Sequence, residues 1–250
     1  MTGRAQILLL ALALAGASGC ASVPNPDPSD PLEGFNRSVY RFNDAFDRAV
    51  AKPVATAYKE VLPNPVRNGV RNFFSNIADL FIGVNNLLQG KPEEALTDWG
   101  RFAFNTTFGM LGIADWATDM GLDKHNEDFG QTLGRWSVGS GPYVVLPFLG
   151  PSDVRDSFGT ALDMYTDPVS NHTPVDERNS AIALRLVSQR ADLLDASRLL
   201  EQAALDPYLF MRDAYLQRRR SLIYDGRPPR EPLSQQGEPA GGGTNYAAQR

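Results

Sequence analysis

The chain reads as an all-α protein with a single domain. Apolar residues recur at spacings of three and four over most of its length. The one apolar run with strand character, Tyr143–Phe148, is short and interrupted by Pro147, too little to build a sheet. Phe35, Val39, Phe42, Phe46 and Val50 line one face of a first helix, and Pro53 opens a shorter piece through Leu62, broken by Pro63-Asn64-Pro65. Val66, Val70, Phe73, Phe74, Ile77, Leu80, Phe81, Val84, Leu87 and Leu88 form a stripe of about six turns, ended by Gly90. Pro92 with Glu93 and Glu94 starts the next helix, where Leu96, Trp99, Phe102 and Ala103 share a side. Glu127–Trp136 is a short helix, and Ser152–Asp153 can cap another through Met164. After a loop at Pro168–Pro174, Asp176–Ala204 and Pro207–Tyr224 complete the helical set.

The N-terminus has a different character. Met1–Gly19 is built like a secretory leader: Arg4, the apolar run Ile7–Ala15, then Gly16, Ala17, Ser18 and Gly19. The only cysteine, Cys20, follows at once. Ala17-Ser18-Gly19-Cys20 resembles a bacterial lipobox, although Ala17 stands where Leu is usual. In such a site the thiol takes a diacylglycerol and cleavage leaves the cysteine first. A lone thiol forms no internal disulfide and is a liability in an oxidising compartment, so lipidation accounts for Cys20 better than a leftover thiol does. Residues 20–31 then read as a polar tether, residues 32–225 as the helical domain, and residues 226–250 as a disordered tail with little to bury.

Composition excludes several functions. Without Arg4 the chain carries 29 acidic residues against one fewer than its 24 basic ones, a mildly acidic balance that argues against nucleic acid and against docking on anionic lipid by charge alone. No stretch after the leader supplies the roughly 20 apolar residues of a spanning helix. The longest uncharged run, Trp136–Ser152, is broken by three glycines and three prolines. Enzyme chemistry fares badly. His125 and His172 sit in no ligand spacing. Gly150-Pro151-Ser152 begins a nucleophile-elbow frame that Val154 fails to close. No cofactor is expected beyond the covalent lipid.

Amphipathic surfaces remain. Phe73, Phe74 and Phe81 on the long stripe are expected to face a membrane leaflet, with core packing as the open alternative. Asn36 and Asn43, seven apart on one helix face beside Phe42, and Asn105 in an otherwise apolar stretch suit the wall of a lipid path. They suit buried helix–helix hydrogen bonds equally well. Gly139 and Gly141 would shape a tight loop beside that path.

These segments together resemble one family, the MlaA/VacJ outer-membrane lipoproteins of Gram-negative bacteria. The matching residues include Asp30-Pro31-Leu32-Glu33-Gly34-Phe35-Asn36-Arg37, Pro65-Val66-Arg67-Asn68-Gly69 and Arg101-Phe102 with Asn105-Thr106. The longest is Phe129-Gly130-Gln131-Thr132-Leu133-Gly134-Arg135-Trp136-Ser137-Val138-Gly139-Ser140-Gly141-Pro142-Tyr143. Asp206-Pro207-Tyr208 and Arg212-Asp213-Ala214-Tyr215 follow in order, so the resemblance runs from Cys20 to Asp225. It implies a ring-like helical protein in the inner leaflet of the outer membrane. A central amphipathic channel would remove misplaced phospholipid from the outer leaflet. It further implies a trimeric porin as partner and a periplasmic lipid-binding carrier that receives the lipid. A lipoprotein that only scaffolds porins is the alternative.

If Cys20 carries the anchor, Cys20→Ala should give a folded but mislocalised protein, measured by fractionating cells. A variant still wholly in the outer membrane would transfer the anchoring role to the helices.

Overall fold

The computed structural model describes residue 27 and residues 29–229. The leader, Cys20, most of the tether and the tail from residue 230 lie outside the described residues. Ten helices and one hairpin make up the described chain. In order they are α1 (Glu33–Phe46), α2 (Lys52–Val61), α3 (Asn64–Leu88), α4 (Pro92–Phe108), α5 (Trp116–Asp119), α6 (Phe129–Arg135), β1 (Tyr143–Leu146), β2 (Gly150–Asp153), α7 (Val154–Thr166), α8 (Val175–Asp192), α9 (Leu194–Ala203) and α10 (Pro207–Ile223). No described helix is long and apolar enough to cross a membrane.

Three expectations are refined. Pro53 does not begin a separate helix, because a π-helical turn, Asp47–Ala51, joins α1 to α2 without a break. Proline has no N–H to donate and its ring crowds the preceding turn, and widening that turn accommodates it. Arg190 clamps the same turn with two nitrogens on Asp47, at 2.6 and 2.8 Å. The expected Asp176–Ala204 helix is two, divided at Leu193. Tyr143–Leu146 does form a sheet, a minimal antiparallel one with Tyr143 opposite Asp153 and Leu146 opposite Gly150.

That hairpin survives because α1 completes it. Asn36 Nδ2 donates to the Tyr143 carbonyl at 3.0 Å, and the Val145 N–H donates back to Asn36 Oδ1 at 2.9 Å. Asn43 repeats the pattern one heptad on, donating to the Leu146 carbonyl at 2.9 Å and accepting from the Phe148 N–H at 2.8 Å. Strand β1 pairs with β2 on one edge and with this asparagine row on the other, which satisfies an edge otherwise left open. Packing also starts upstream of the expected boundary at Leu32. Asp30 is buried, accepting from Asn36 Nδ2 at 3.0 Å and from the Tyr208 hydroxyl.

Successive packing closes the fold into a ring. Helix α1 lies on β1, β2 on α10, α10 on α6, α6 on α3, α3 on α8, and α8 on α2, which continues α1. Helix α4 lies along α3, and α7 against α6. Apolar packing is confined to small clusters, among them Ala55, Ala191 and Leu194 where α2 meets α8, and Tyr143, Val145 and Tyr208 around β1.

Asn36→Leu strands a buried carbonyl, a buried N–H and Asp30, and should cost about 3 kcal/mol or more. Asn43→Leu, at the solvent end of the same row, should cost about 1 kcal/mol. Thermal melting of both variants in detergent checks the ranking; equal losses would break the link between burial and cost.

Candidate functional site

Many polar side chains of this protein are buried and many large apolar ones are exposed. Asn36, Asn76, Asp79, Asn86, Asp98, Arg101 and Asn105 are all buried, Arg101 being only 1% exposed. Meanwhile Met110 is 73% exposed, Leu96 66%, and Phe108 and Phe148 64% each.

The α3–α4 contact shows how the sequence produces this inversion. Helix α3 turns Asn76, Asp79, Gly83 and Asn86 toward α4, at spacings of three, four and three, and α4 replies with Asp98, Arg101 and Asn105. Asn86 Nδ2 donates to Asp98 at 2.8 Å, and His125 Nδ1 meets both Asp98 oxygens at 3.1 Å. Arg101 lies 3.4 Å from Asp79 and grips both oxygens of Asp115 at 3.0 and 3.1 Å, while Lys124 closes the cluster with an ion pair to Asp79. Burial pushes the Asp115 carboxyl up, but hydrogen bonds from Thr118, Asn105 and Arg101 outweigh it and hold it at about 2. Gly83 permits the close approach: a Cβ there would sit 2.4 Å from Trp99 Nε1, which donates to the Leu80 carbonyl at 3.1 Å.

With the polar stripe spent on α4, the apolar stripe of α3 is left for other uses. Phe74, Ile77 and Phe81 wall a cavity of about 260 Å³ shared with α7 and α8. Its lining also holds polar groups, Asn85 from the same helix and Asp163, Asp167 and Arg185 from the other side of the cavity. Arg185 donates to Asp167 at 2.7 Å and lies 6.0 Å from the Phe74 ring centroid. Burial pushes the Asp163 carboxyl up to about 6, opposed only in part by the Phe129 N–H at 3.2 Å. An aromatic wall facing hydrogen-bonding and charged groups is what an amphiphile requires.

A second cavity, about 680 Å³, lies between residues 134–140 and α10. It is lined by Arg135, Arg155, Arg219 and Arg220, with Asp153 and small apolar patches at Val138, Leu216 and Ile223. Arg155 pairs with Asp156 at 2.9 Å, and Arg219 with Asp128 and Asp156 at 2.5 Å each. Those two guanidiniums are therefore committed to internal carboxylates. The smaller cavity, with its continuous aromatic wall, is the candidate site.

The residues singled out in the sequence separate accordingly. Asn36 and Asn105 are both buried, and each has donor and acceptor engaged, Asn105 with Asp115 and the Ala117 N–H at 2.9 Å each. Asn43 is committed to the hairpin as described. Each of these carboxamides joins elements of the protein, and Asn36 spends both of its N–H groups, on Asp30 and on the Tyr143 carbonyl. Phe42 is on the surface, edge to face with Phe148 at 5.1 Å. Gly139 lines the larger cavity, and Gly141 (φ +69°) turns the adjoining loop, where a Cβ would press on Val154 at 3.1 Å. Phe73, Phe74 and Phe81 are half-buried, not fully outward. Phe74 and Phe81 face the smaller cavity, and Phe73 packs on Phe74 at 5.3 Å. Sequence reasoning missed Asp163, Asp167 and Arg185. The available signal was two carboxylates, Asp163 and Asp167, at the C-terminal end of a helix, where its dipole disfavours negative charge unless something else uses it.

The family of this fold is settled by comparison. A family model described as MlaA lipoprotein matches residues 28–222. The chain belongs to the MlaA lipoprotein family. It is 37% identical over 238 residues to the Escherichia coli K12 "Intermembrane phospholipid transport system lipoprotein MlaA", covering 92% of this chain and 94% of that protein. The Haemophilus influenzae protein of the same name is 32% identical over 229 residues, 88% of this chain and 90% of its own. A solved structure described as "Structural basis for maintenance of bacterial outer membrane lipid asymmetry" superposes with a TM-score of 0.69 at 38% identity. The match spans 78% of this chain and 99% of that one.

Because the raised Asp163 carboxyl favours its protonated form, its charge weakens the fold above about pH 6 and not below about pH 4. Asp163→Asn should therefore raise stability at pH 7.5 by about 1 kcal/mol, after allowing for solvent screening of a partly exposed group, with the gain gone at pH 4. Melting curves at both pH values check this; a loss at pH 7.5 would contradict it.

Proposed function

We propose that this chain, like its relatives, is an outer-membrane lipoprotein of a phospholipid transport system. It would lie in one leaflet, draw misplaced phospholipid from the outer leaflet through its ring, and release it toward the periplasm. The observation that carries this reading is the cavity at Phe74, Phe81, Asn85 and Asp163, which sets an aromatic wall against a polar one. It sits in a protein whose exposed face is rich in large apolar residues. Moving a headgroup through hydrocarbon is costly without polar partners. A passage offering hydrogen bonds to the headgroup and rings to the chains lowers that barrier without covalent chemistry, and the relatives are named as transport lipoproteins, not as enzymes.

Embedding by amphipathic surface plus an acylated Cys20 supplies two membrane signals, as stable anchoring needs. A trimeric porin and a soluble lipid carrier are the partners this role calls for. In this reading the carrier draws the lipid onward and gives the transport its direction.

Ala78 lines the same cavity. Ala78→Trp should fill much of it and raise outer-leaflet phospholipid several-fold, assayed in cells through an outer-membrane acyltransferase that modifies only lipid in that leaflet. Wild-type levels at normal protein abundance would remove this cavity from the path.

A further inference from the structure

The charge pattern of the smaller cavity carries information that transport alone does not require. Four carboxylates line it, and three are neutralised. Glu127 pairs with Lys91 at 3.2 Å, Asp128 with Arg219 at 2.5 Å, and Asp167 with Arg185 at 2.7 Å. Among the described residues, Asp163 has no cation within ion-pair distance. One of its oxygens accepts the Phe129 N–H, and the other has no hydrogen-bond partner among the described residues. Holding an uncompensated carboxylate in a half-desolvated cavity is unfavourable, so the arrangement is suited to a cation that arrives from outside.

The neighbouring groups say which kind. Asp163 stands in the last turns of α7 and Asp167 is the residue that caps its C-terminus, and both line the cavity. Arg185 is bound to Asp167 through one terminal nitrogen, and its Nε and other terminal nitrogen make no hydrogen bond among the described residues. The cavity thus presents, in one lining with Phe74 and Phe81, an open acceptor for a cation and an open donor for an anion. An ethanolamine-type headgroup carries both an ammonium and a phosphate. A glycerol-type headgroup offers the phosphate alone and leaves Asp163 uncompensated.

We propose that this cavity selects zwitterionic, amine-bearing phospholipids over anionic ones, Asp163 receiving the ammonium and the free guanidinium edge of Arg185 the phosphate. The assignment rests on the transport reading above. It also predicts a pH dependence. The other ionisable groups facing the cavity, Glu127, Asp128, Asp167 and Arg185, are all paired, and α3 contributes only uncharged residues to it. Burial sets the Asp163 carboxyl near pH 6, so the selection fades as pH falls through that value.

The test uses full-length lipidated protein in detergent, equilibrated with mixed micelles of equal phosphatidylethanolamine and phosphatidylglycerol with matched acyl chains. Bound lipid is extracted and counted by mass spectrometry. The wild type at pH 7.5 should be enriched in phosphatidylethanolamine about two- to fivefold, the range of one partly screened ion pair. The ratio should fall to about one in Asp163→Asn and in the wild type at pH 5, with Asp163→Glu restoring part of it. Equal uptake of both lipids by the wild type, or enrichment that Asp163→Asn preserves, would overturn the selectivity and leave the transport reading standing. Uptake of neither lipid would overturn both. Soluble phosphoethanolamine at millimolar concentration should not displace bound lipid, because it lacks chains for the aromatic wall; displacement would give the site to a soluble amine and overturn the lipid assignment.

Discussion

The structure depends on the buried polar seam between α3 and α4. Asp79, Arg101, Lys124 and Asp115 form one charged cluster there, and Asp98, Asn86 and His125 another. Removing one member of such a set leaves a buried charge uncompensated, at a cost of about 3–5 kcal/mol. In water this would be an uneconomical way to join two helices, since apolar packing does the same without desolvating ions. Against hydrocarbon the balance changes. Apolar side chains gain little by leaving lipid for a protein core, while polar groups gain from finding each other.

The rest of the architecture follows from that reversal. Because α3 spends its polar stripe on α4, its Phe and Ile residues remain for the cavity shared with α7 and α8. Because α1 spends Asn36 and Asn43 on the hairpin, Phe42 and Phe46 are left outward, where both meet Phe148 edge to face at 5.1 Å. The same division, amides and charges inward, rings outward, recurs around a ring that closes through α10, α6 and α8. A passage for an amphiphile needs both kinds of surface next to each other. A protein with an ordinary oily core would bury one of them.

Much of this was legible in the sequence. The long α3 stripe ended as expected at its glycine, and Asp153 caps α7 at the predicted position, accepting the Asp156 N–H at 2.7 Å. Lipobox, helical periodicity and family motifs pointed together to a lipoprotein of this family. The site was less legible, and for a definite reason. Periodicity reports that a helix has two faces but not which one is inside, and the usual rule assigns the apolar face to the core. Here the rule is inverted. Asn36, Asn43 and Asn105 stayed open in the sequence between the wall of a path and an internal fastener, because the two look alike in one dimension; in the structure all three hold internal hydrogen bonds. Asp163, Asp167 and Arg185 were missed because their juxtaposition joins α7 to α8 across the cis Thr173–Pro174 loop, a pairing no local pattern encodes.

The inversion itself can be measured directly. Spin labels placed singly at Met110, Leu96 and Phe148 in the lipidated protein, reconstituted in phospholipid vesicles, report collisions with oxygen, which partitions into lipid, and with a nickel chelate, which stays in water. Oxygen should dominate at these outward apolar positions, and the chelate should dominate at exposed polar sites such as Asn179. Chelate collisions prevailing at all three apolar positions would mean that this surface faces water, and would contradict a fold organised with its polar groups inside and its apolar ones toward lipid.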